Sequence, residues 1–371
     1  MTDNVRRFRA IHKALLTYYP GTAKGNFARH LLTLAALITG IVGSRRTNLP
    51  EIASKAPDRA KADSRVKRYS RFLQNERVTY EGFFLPFIED LIETLSKQGP
   101  LCIVFDGSAL GRESVVLMAS VIYKKRALPL CWIVRRGKKG HCSSAVHLEL
   151  VEALRSLVPE QAEVVFLGDG EFDSTVLQEA LSQATWHYVL RTAKDTLLVP
   201  EGEGSEAFLF KEAYPLLDET WASLPGMLFT ATRYGPVHAV VWHERGHREA
   251  VYLVTNLELA YEACQWYKKR ARIETFFSDQ KSRGFHLHKS HLSDPARLSR
   301  LLMAACLAYV FVVYLGTLAK ARGWDRLVHR ADRCDLSLFQ LGLRLLDHML
   351  NEGWPLRVAF TVALDHTRSD R

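Results

Sequence analysis

Between residues 101 and 190 the chain alternates short apolar runs with amphipathic segments in an order that few folds share. Residues 101–105 (LCIVF) form a continuous apolar run, and residues 114–123 and 127–134 follow it, separated by Lys124, Lys125 and Arg126. Apolar runs of this length and spacing predict a three-strand meander. Residues 145–157 then place Val146, Leu150, Val151, Leu154 and Leu157 at helical spacing. Residues 163–167 (EVVFL) predict another buried strand, 174–181 a helix and 186–190 a strand. The order β-β-β-α-β-α-β is that of the ribonuclease-H-like fold, so the expected class is α/β, a mixed sheet with helices on its faces.

The rest of the chain arranges itself around this core. Its 371 residues suffice for about two to three domains. Residues 1–98 pattern as helices, with an apolar segment at 27–42 and an amphipathic one at 83–95, and Gln98-Gly99-Pro100 marks a boundary. A domain at 99–290 is expected next, interrupted at about 195–255 by an inserted β subdomain. A helical region, 291–371, closes the chain. Within it, residues 301–318 are 18 positions without a charge, the lower edge of membrane-spanning length. Tyr309, Tyr314, Gly316 and Thr317 lie inside that stretch, so it reads as a buried core helix rather than a span.

Charge narrows the partners. Lys plus Arg number 50 against 40 Asp plus Glu, a net +10, which favours a polyanion: nucleic acid first, an acidic membrane surface second. The six cysteines include no C-x-x-C pair, and MTDNVRRFRA lacks the apolar core of a signal peptide, so a reducing cytoplasm is expected. Residues 45–77 hold ten Lys/Arg against four acids. Two short helices fit there, the second capped by Asp63 or Ser64 and carrying Arg65, Arg68 and Arg71. This suits a helix-turn-helix-like reader of DNA, and it suits a solvated charged helix pair equally. Residues 114–148 contain no acid at all. Lys124, Lys125, Arg126, Arg135, Arg136, Lys138 and Lys139 gather there at predicted strand ends, the makings of a phosphate-binding rim.

The chemistry is carried by acids. Asp106 closes the first apolar strand and Asp169 closes the later one, in Leu167-Gly168-Asp169-Gly170-Glu171. On neighbouring strands the two would converge, although Asp-Gly taken singly is a turn signal. Glu171 reads as a solvated neighbour and Asp173 as the cap of the following helix. Residues 266–283 read WYKKRARIETFFSDQKSR. On one helix at about 100° per residue, with Tyr267 at zero, Arg270, Glu274 and Lys281 fall near 300°, 340° and 320°. They share one face beside an apolar stripe of Trp266, Ile273 and Phe277. An amphipathic surface helix with an Arg270–Glu274 pair would explain the same charges.

Tyr267-x2-Arg270-x3-Glu274-x6-Lys281, with Asp106 and Asp169 upstream, resembles the YREK signature of bacterial DDE transposases of the insertion-sequence-four group, Tn-five-transposase-like. The Arg-Tyr-Ser-Arg-Phe-Leu stretch at 68–73 and Asp-Leu-Ser-Leu-Phe-Gln-Leu-Gly at 335–342 resemble that group as well. The resemblance implies a ribonuclease-H-like catalytic core with a β insertion ahead of the Glu-bearing helix. It implies a cut-and-paste transposase acting on double-stranded DNA, transposon ends and target, in a bacterial cytoplasm at the nucleoid. It also implies a homodimeric synaptic complex, no membrane partner, and a tryptophan of the β insertion stacking on a flipped base. Trp242 is the first candidate for that tryptophan and Trp221 the second. The C-terminal apolar helices could supply the dimer surface or the core.

Elementary chemistry agrees with that expectation. In-line attack on a phosphodiester is served by two divalent cations about 3.5–4 Å apart, held by hard oxygen ligands. Mg2+ is expected, with Mn2+ able to substitute. Asp106 would bridge the pair, and Asp169 and Glu274 would each hold one ion. Tyr267, Arg270 and Lys281 would hold phosphates. Two alternatives remain at this point: a ribonuclease-H-like junction nuclease, and an inactive helix-turn-helix relic that only binds DNA.

Overall fold

Helices give way to strands at Gly99, where the patterning changes. The computed structural model describes residues 1–111, 113–137, 139–140, 142–213, 220–243, 249–330 and 334–364. Lys138, one of the expected rim cations, lies outside the described residues. The N-terminal helices are α1 (Asp3–Leu16), α2 (Gly25–Ser44), α3 (Leu49–Ser54), α4 (Ala62–Gln74), α5 (Tyr80–Phe83) and α6 (Leu85–Ser96). Asn48 caps α3 by accepting the Glu51 amide at 3.1 Å, with Pro50 in the first turn. Helix α4 starts ahead of both expected caps: Ala62 opens it, no side chain caps it, and Asp63 lies in its first turn, where a carboxylate complements the helix dipole.

The sheet begins with β1 (Leu101–Ala109), β2 (Ser114–Tyr123) and β3 (Arg126–Arg136). It continues through α7 (Ser144–Arg155), β4 (Val164–Gly168), α8 (Thr175–Gln183) and β5 (His187–Thr192), in the expected order. β1 pairs antiparallel with β2 and parallel with β4, and β4 pairs parallel with β5. β1, β2 and β4 are buried along almost their whole length, which is why they read as unbroken apolar runs rather than alternating ones.

The described residues of 195–255 do not make a sheet of their own. They supply β6 (Leu197–Pro200), β7 (Phe208–Leu209), β8 (Trp221–Phe229), β9 (Tyr234–Trp242) and β10 (Val251–Thr255), and β10 pairs antiparallel with β5. The result is one sheet in the order β3-β2-β1-β4-β5-β10-β9-β8-β6-β7, mixed and mostly antiparallel. The edge of β5 would otherwise expose a row of unpaired backbone groups, and β10 covers it.

The chain returns to helix with α9 (Ala260–Tyr267), α10 (Arg272–Gln280), α11 (Pro295–Ala321), α12 (Asp325–Val328) and α13 (Leu338–Asn351). The continuous helix expected over 266–283 is therefore two helices joined by a tight turn. In it the amides of Lys269, Arg270 and Arg272 bond carbonyls three residues back. Lys268, Lys269, Arg270 and Arg272 crowd four cations into five positions, where like charges oppose regular helix.

Helix α11 is the spine. The most apolar 18-residue window of this helix is 94% buried inside the protein, although by length and composition it would cross a membrane. Arg300 at its start donates to the Val78 and Leu73 carbonyls at 3.0 and 3.1 Å, and β3 reaches it through the Trp132 indole on Ser299 at 2.9 Å. α13 packs against it so closely that a Cβ at Gly342 would overlap the Val312 carbonyl, and one at Gly316 the Leu338 carbonyl. The apolar face of α13, including Phe339, Leu343, Leu346 and Met349, is thereby core. Of the two roles expected for it, this face takes the intramolecular one. Arg6 of α1 caps the end of α13, donating to the Leu350 and Trp354 carbonyls at 2.7 and 2.8 Å.

Candidate active site

Asp106 does not end its strand. β1 runs on through Asp106-Gly107-Ser108, and Asp106 pairs with Met118 of β2. The ladder to β4 stops at Val104 opposite Leu167, so continuing its register by two residues sets Asp106 opposite Asp169. Both acids thus stand where the parallel pair opens, just past the last rung. Gly168 permits this: a Cβ there would lie 2.7 Å from that of Phe172 and 3.0 Å from Leu190. Asp169 is oriented by the Glu171 amide, which donates to Oδ1 at 3.1 Å.

Ile273, Phe276 and Phe277 bury one side of α10 against the sheet. That docking brings Glu274, in the first turn, to the same crevice. Arg270 joins the three acids. Its Nη2 lies 2.5 Å from Asp169 Oδ2 and 3.5 Å from Asp106 Oδ2, and its Nη1 lies 3.1 Å from Glu274 Oε1. One guanidinium therefore reaches carboxylates from three distant segments. The Arg270–Glu274 pair that a plain surface helix would give is present as well, within this larger cluster. The carboxylates surround the guanidinium instead of closing on a common point. Among the described residues no three His, Cys, Asp or Glu side chains form a metal-holding group.

Two lysines complete the cluster. Lys139 Nζ lies 3.0 Å from Asp106 Oδ1, and Lys281 Nζ donates to Ser108 Oγ at 2.7 Å. Asp106 is only 2% exposed. Burial pushes its carboxyl pKa up, against the opposing pull of Arg270 and Lys139. Its Oδ1 has no aligned hydrogen-bond donor despite the nearby ammonium. A buried, under-satisfied hard oxygen beside two further carboxylates suits a divalent cation, which would take over the charge neutralisation that Arg270 supplies. Burial also pushes the Lys281 ammonium down and the Tyr267 phenol up to about 12, so Tyr267 stays a donor at neutral pH.

Residues 111–311, more than half of the chain, match the family described as Transposase DDE domain. The chain belongs to that family. The matched segment contains Asp169 and Glu274 and begins five residues after Asp106. No curated protein matches the chain. A solved structure, a piggyBac transposase synaptic complex with hairpin DNA determined by cryo-EM, aligns over 94% of this chain and 78% of that chain. Its TM-score is 0.43 and its identity 11%.

Several cations of this DDE transposase have duties that its sequence concealed. Arg126, itself mostly covered, pairs at 2.9 Å with the buried Asp279 of α10, so it anchors α10 to β3 instead of joining a rim. Arg65 and Arg68 both bind Asp58, at 3.0 and 2.6 Å, fastening α4 to the loop before it. Arg135 pairs with Glu149 at 2.5 Å. Arg71, Arg136, Lys124 and Lys125 are exposed. Trp242 is half-buried under Lys268, whose Nζ sits 5.2 Å from the ring, two residues from Arg270. Trp221 packs on Tyr261. Asp173 does not cap α8: Ser174 does, accepting the Leu177 amide, while Asp173 accepts the Thr192 hydroxyl at 2.6 Å. Glu171 accepts the Cys142 amide at 3.2 Å. Sequence reasoning missed Ser108 and the tie from Lys139 to Asp106. The only sequence signal for either was its nearness to strand ends.

Proposed function

We propose that the chain is a cut-and-paste transposase of the insertion-sequence-four group, with Asp106, Asp169 and Glu274 as its catalytic carboxylates. The observation that carries this reading is the single guanidinium of Arg270 reaching all three. Tyr267, Arg270, Glu274 and Lys281 take the YREK positions, on a ribonuclease-H-like core whose sheet is extended by β6–β10. Residues 1–98 serve as the DNA-binding domain, 99–290 as the catalytic domain and 291–371 as the closing helical region. The enzyme works on double-stranded DNA in the bacterial cytoplasm, as a homodimer when two ends are held together.

Asp106, Asp169 and Glu274 would hold Mg2+ or Mn2+, and bound there the cations supply charge neutralisation at the attacked phosphate. The remaining chemistry belongs to side chains. Arg270, released from the carboxylates, offers a planar fork of donors that fits two phosphate oxygens. Lys281 and Lys139 add point charges beside the same phosphate. Tyr267 donates its hydroxyl. Trp242, covered by Lys268, is positioned to stack on a base drawn out near the cut once that lysine moves.

The test uses a labelled duplex bearing the element's terminal inverted repeat, with a supercoiled plasmid as target. The expected result is Mg2+-dependent nicking, followed by joining of the 3′ hydroxyl end to the plasmid. Nicking without joining would favour the junction nuclease, and binding without nicking would favour the DNA-binding relic.

A further inference from the structure

A second cationic site lies on the other side of α10. A cavity of about 780 Å3 opens between the β2–β3 turn, α10, the end of α11 and the start of α13, lined by Lys124, Lys125, Arg272, Thr275, Lys320 and Ser337, among others. At about 100° per residue, Thr275 and Arg272 point roughly 100° and 160° away from Glu274. None of the three candidate catalytic carboxylates lines the cavity.

Not every cation there is available. Arg126, at the back, pairs with Asp279, and Lys320 pairs with Asp325 at 2.6 Å. Asp335, the acid on the wall, pairs with His329 at 2.7 Å. Lys125 and Arg272 are left without a carboxylate partner among the described residues. They come from separate elements, a hairpin turn and a helix, and the first turn of the 14-residue α13 sits beside them. A guanidinium and an ammonium from separate elements, facing one cavity beside the Ser337-capped start of α13, match a phosphodiester in charge.

We infer that this cavity binds backbone phosphates of DNA outside the cleavage site, with Lys125 and Arg272 as the contacting residues. A helix with its side chains is about 10–12 Å across, so a phosphate held here cannot be the one placed among the carboxylates. It belongs either to a distal stretch of the duplex being cut or to a second duplex. The inference rests on the transposase reading, because it presumes a DNA-acting enzyme.

The test measures binding of a fluorescein-labelled 40-base-pair duplex of random sequence by the full chain as salt is varied. It is repeated with protein already saturated with an unlabelled 20-base-pair duplex. The variant K125Q/R272Q should weaken binding about tenfold or more at 0.1 M salt and reduce the slope of log K against log salt by about 2, one unit per lost phosphate contact. K125R/R272K should restore the slope, which a merely structural role would not require. Loss confined to the pre-saturated protein identifies a second duplex. Loss confined to the free protein identifies a distal stretch of the first. An unchanged slope in both arms, with wild-type binding intact, overturns the cavity assignment alone. Failure of the wild type to bind either duplex overturns the transposase reading and this inference with it.

Discussion

Asp106→Asn, Asp169→Asn and Glu274→Gln will each stop Mg2+-dependent nicking of the terminal repeat while leaving duplex binding intact. Each exchange keeps the shape of the side chain and removes its charge. Removing a group that merely supports a metal ligand typically costs about 10–100-fold in affinity or activity, and loss of the ligand itself should exceed that. Duplex binding survives because each exchange removes a negative charge and leaves every lysine and arginine that meets phosphate in place. Stability gives an independent signature at Asp106. Its pKa is raised by burial, so its contribution to the fold is fully present below the unfolded value and lost as pH rises through the folded one. The Asn variant should therefore melt no lower than wild type at pH 8. A variant that is inactive only because it has unfolded would fail that comparison. Retained nicking by any of the three purified variants would remove that residue from the proposed centre.

The second large effect concerns the fold beneath the site. Arg126→Met will leave Asp279 buried without its partner. Breaking a buried ion pair from one side typically costs about 3–5 kcal/mol, because an uncompensated charge remains. Burial pushes the Asp279 carboxyl up to about 6, with Arg126 and Arg283 opposing. A carboxyl raised on folding supports the fold fully near pH 4 and loses that support as pH climbs through about 6. Removing Arg126 raises this carboxyl further, so the deficit of the variant should be small at pH 5, where Asp279 holds a proton, and near its full size at pH 8. Urea unfolding at the two pH values measures it. An equal deficit at both would mean that Arg126 acts by packing alone. Because Asp279 and Glu274 share α10, the variant should also lose nicking at pH 8 more steeply than at pH 6.5.

Much of this was legible in the residues, and the failures share a cause. The core strands declared themselves because β1, β2 and β4 are buried along nearly their whole length and contain few interruptions. Asp169 was readable because Gly168 ends β4 directly before it. Asp106-Gly107 suggested a turn, yet β2 continues alongside as far as Val115, and a local signal yields to a ladder of seven residue pairs. Residues 266–283 kept a helical apolar stripe across a break, since Ile273 and Phe277 belong to α10 alone. Arg126 was assigned to a rim because its partner lies 153 positions along the chain. A run of cations free of nearby acids says nothing about acids brought in by packing. The same limit hid the sheet extension: residues 251–255 show a short apolar strand, but not that its neighbour would be β5.

Three segments, around residues 106, 169 and 274, are proposed to hold one metal centre. Local cleavage of the polypeptide tests it without DNA. Fe2+ is bound in place of Mg2+, ascorbate and peroxide are added, and the fragments are mapped by mass. Cuts are expected to cluster within a few residues of all three positions and to be suppressed together by excess Mg2+ and by Asp106→Asn. Cuts at one segment only, or a pattern that Asp106→Asn leaves unchanged, would contradict it.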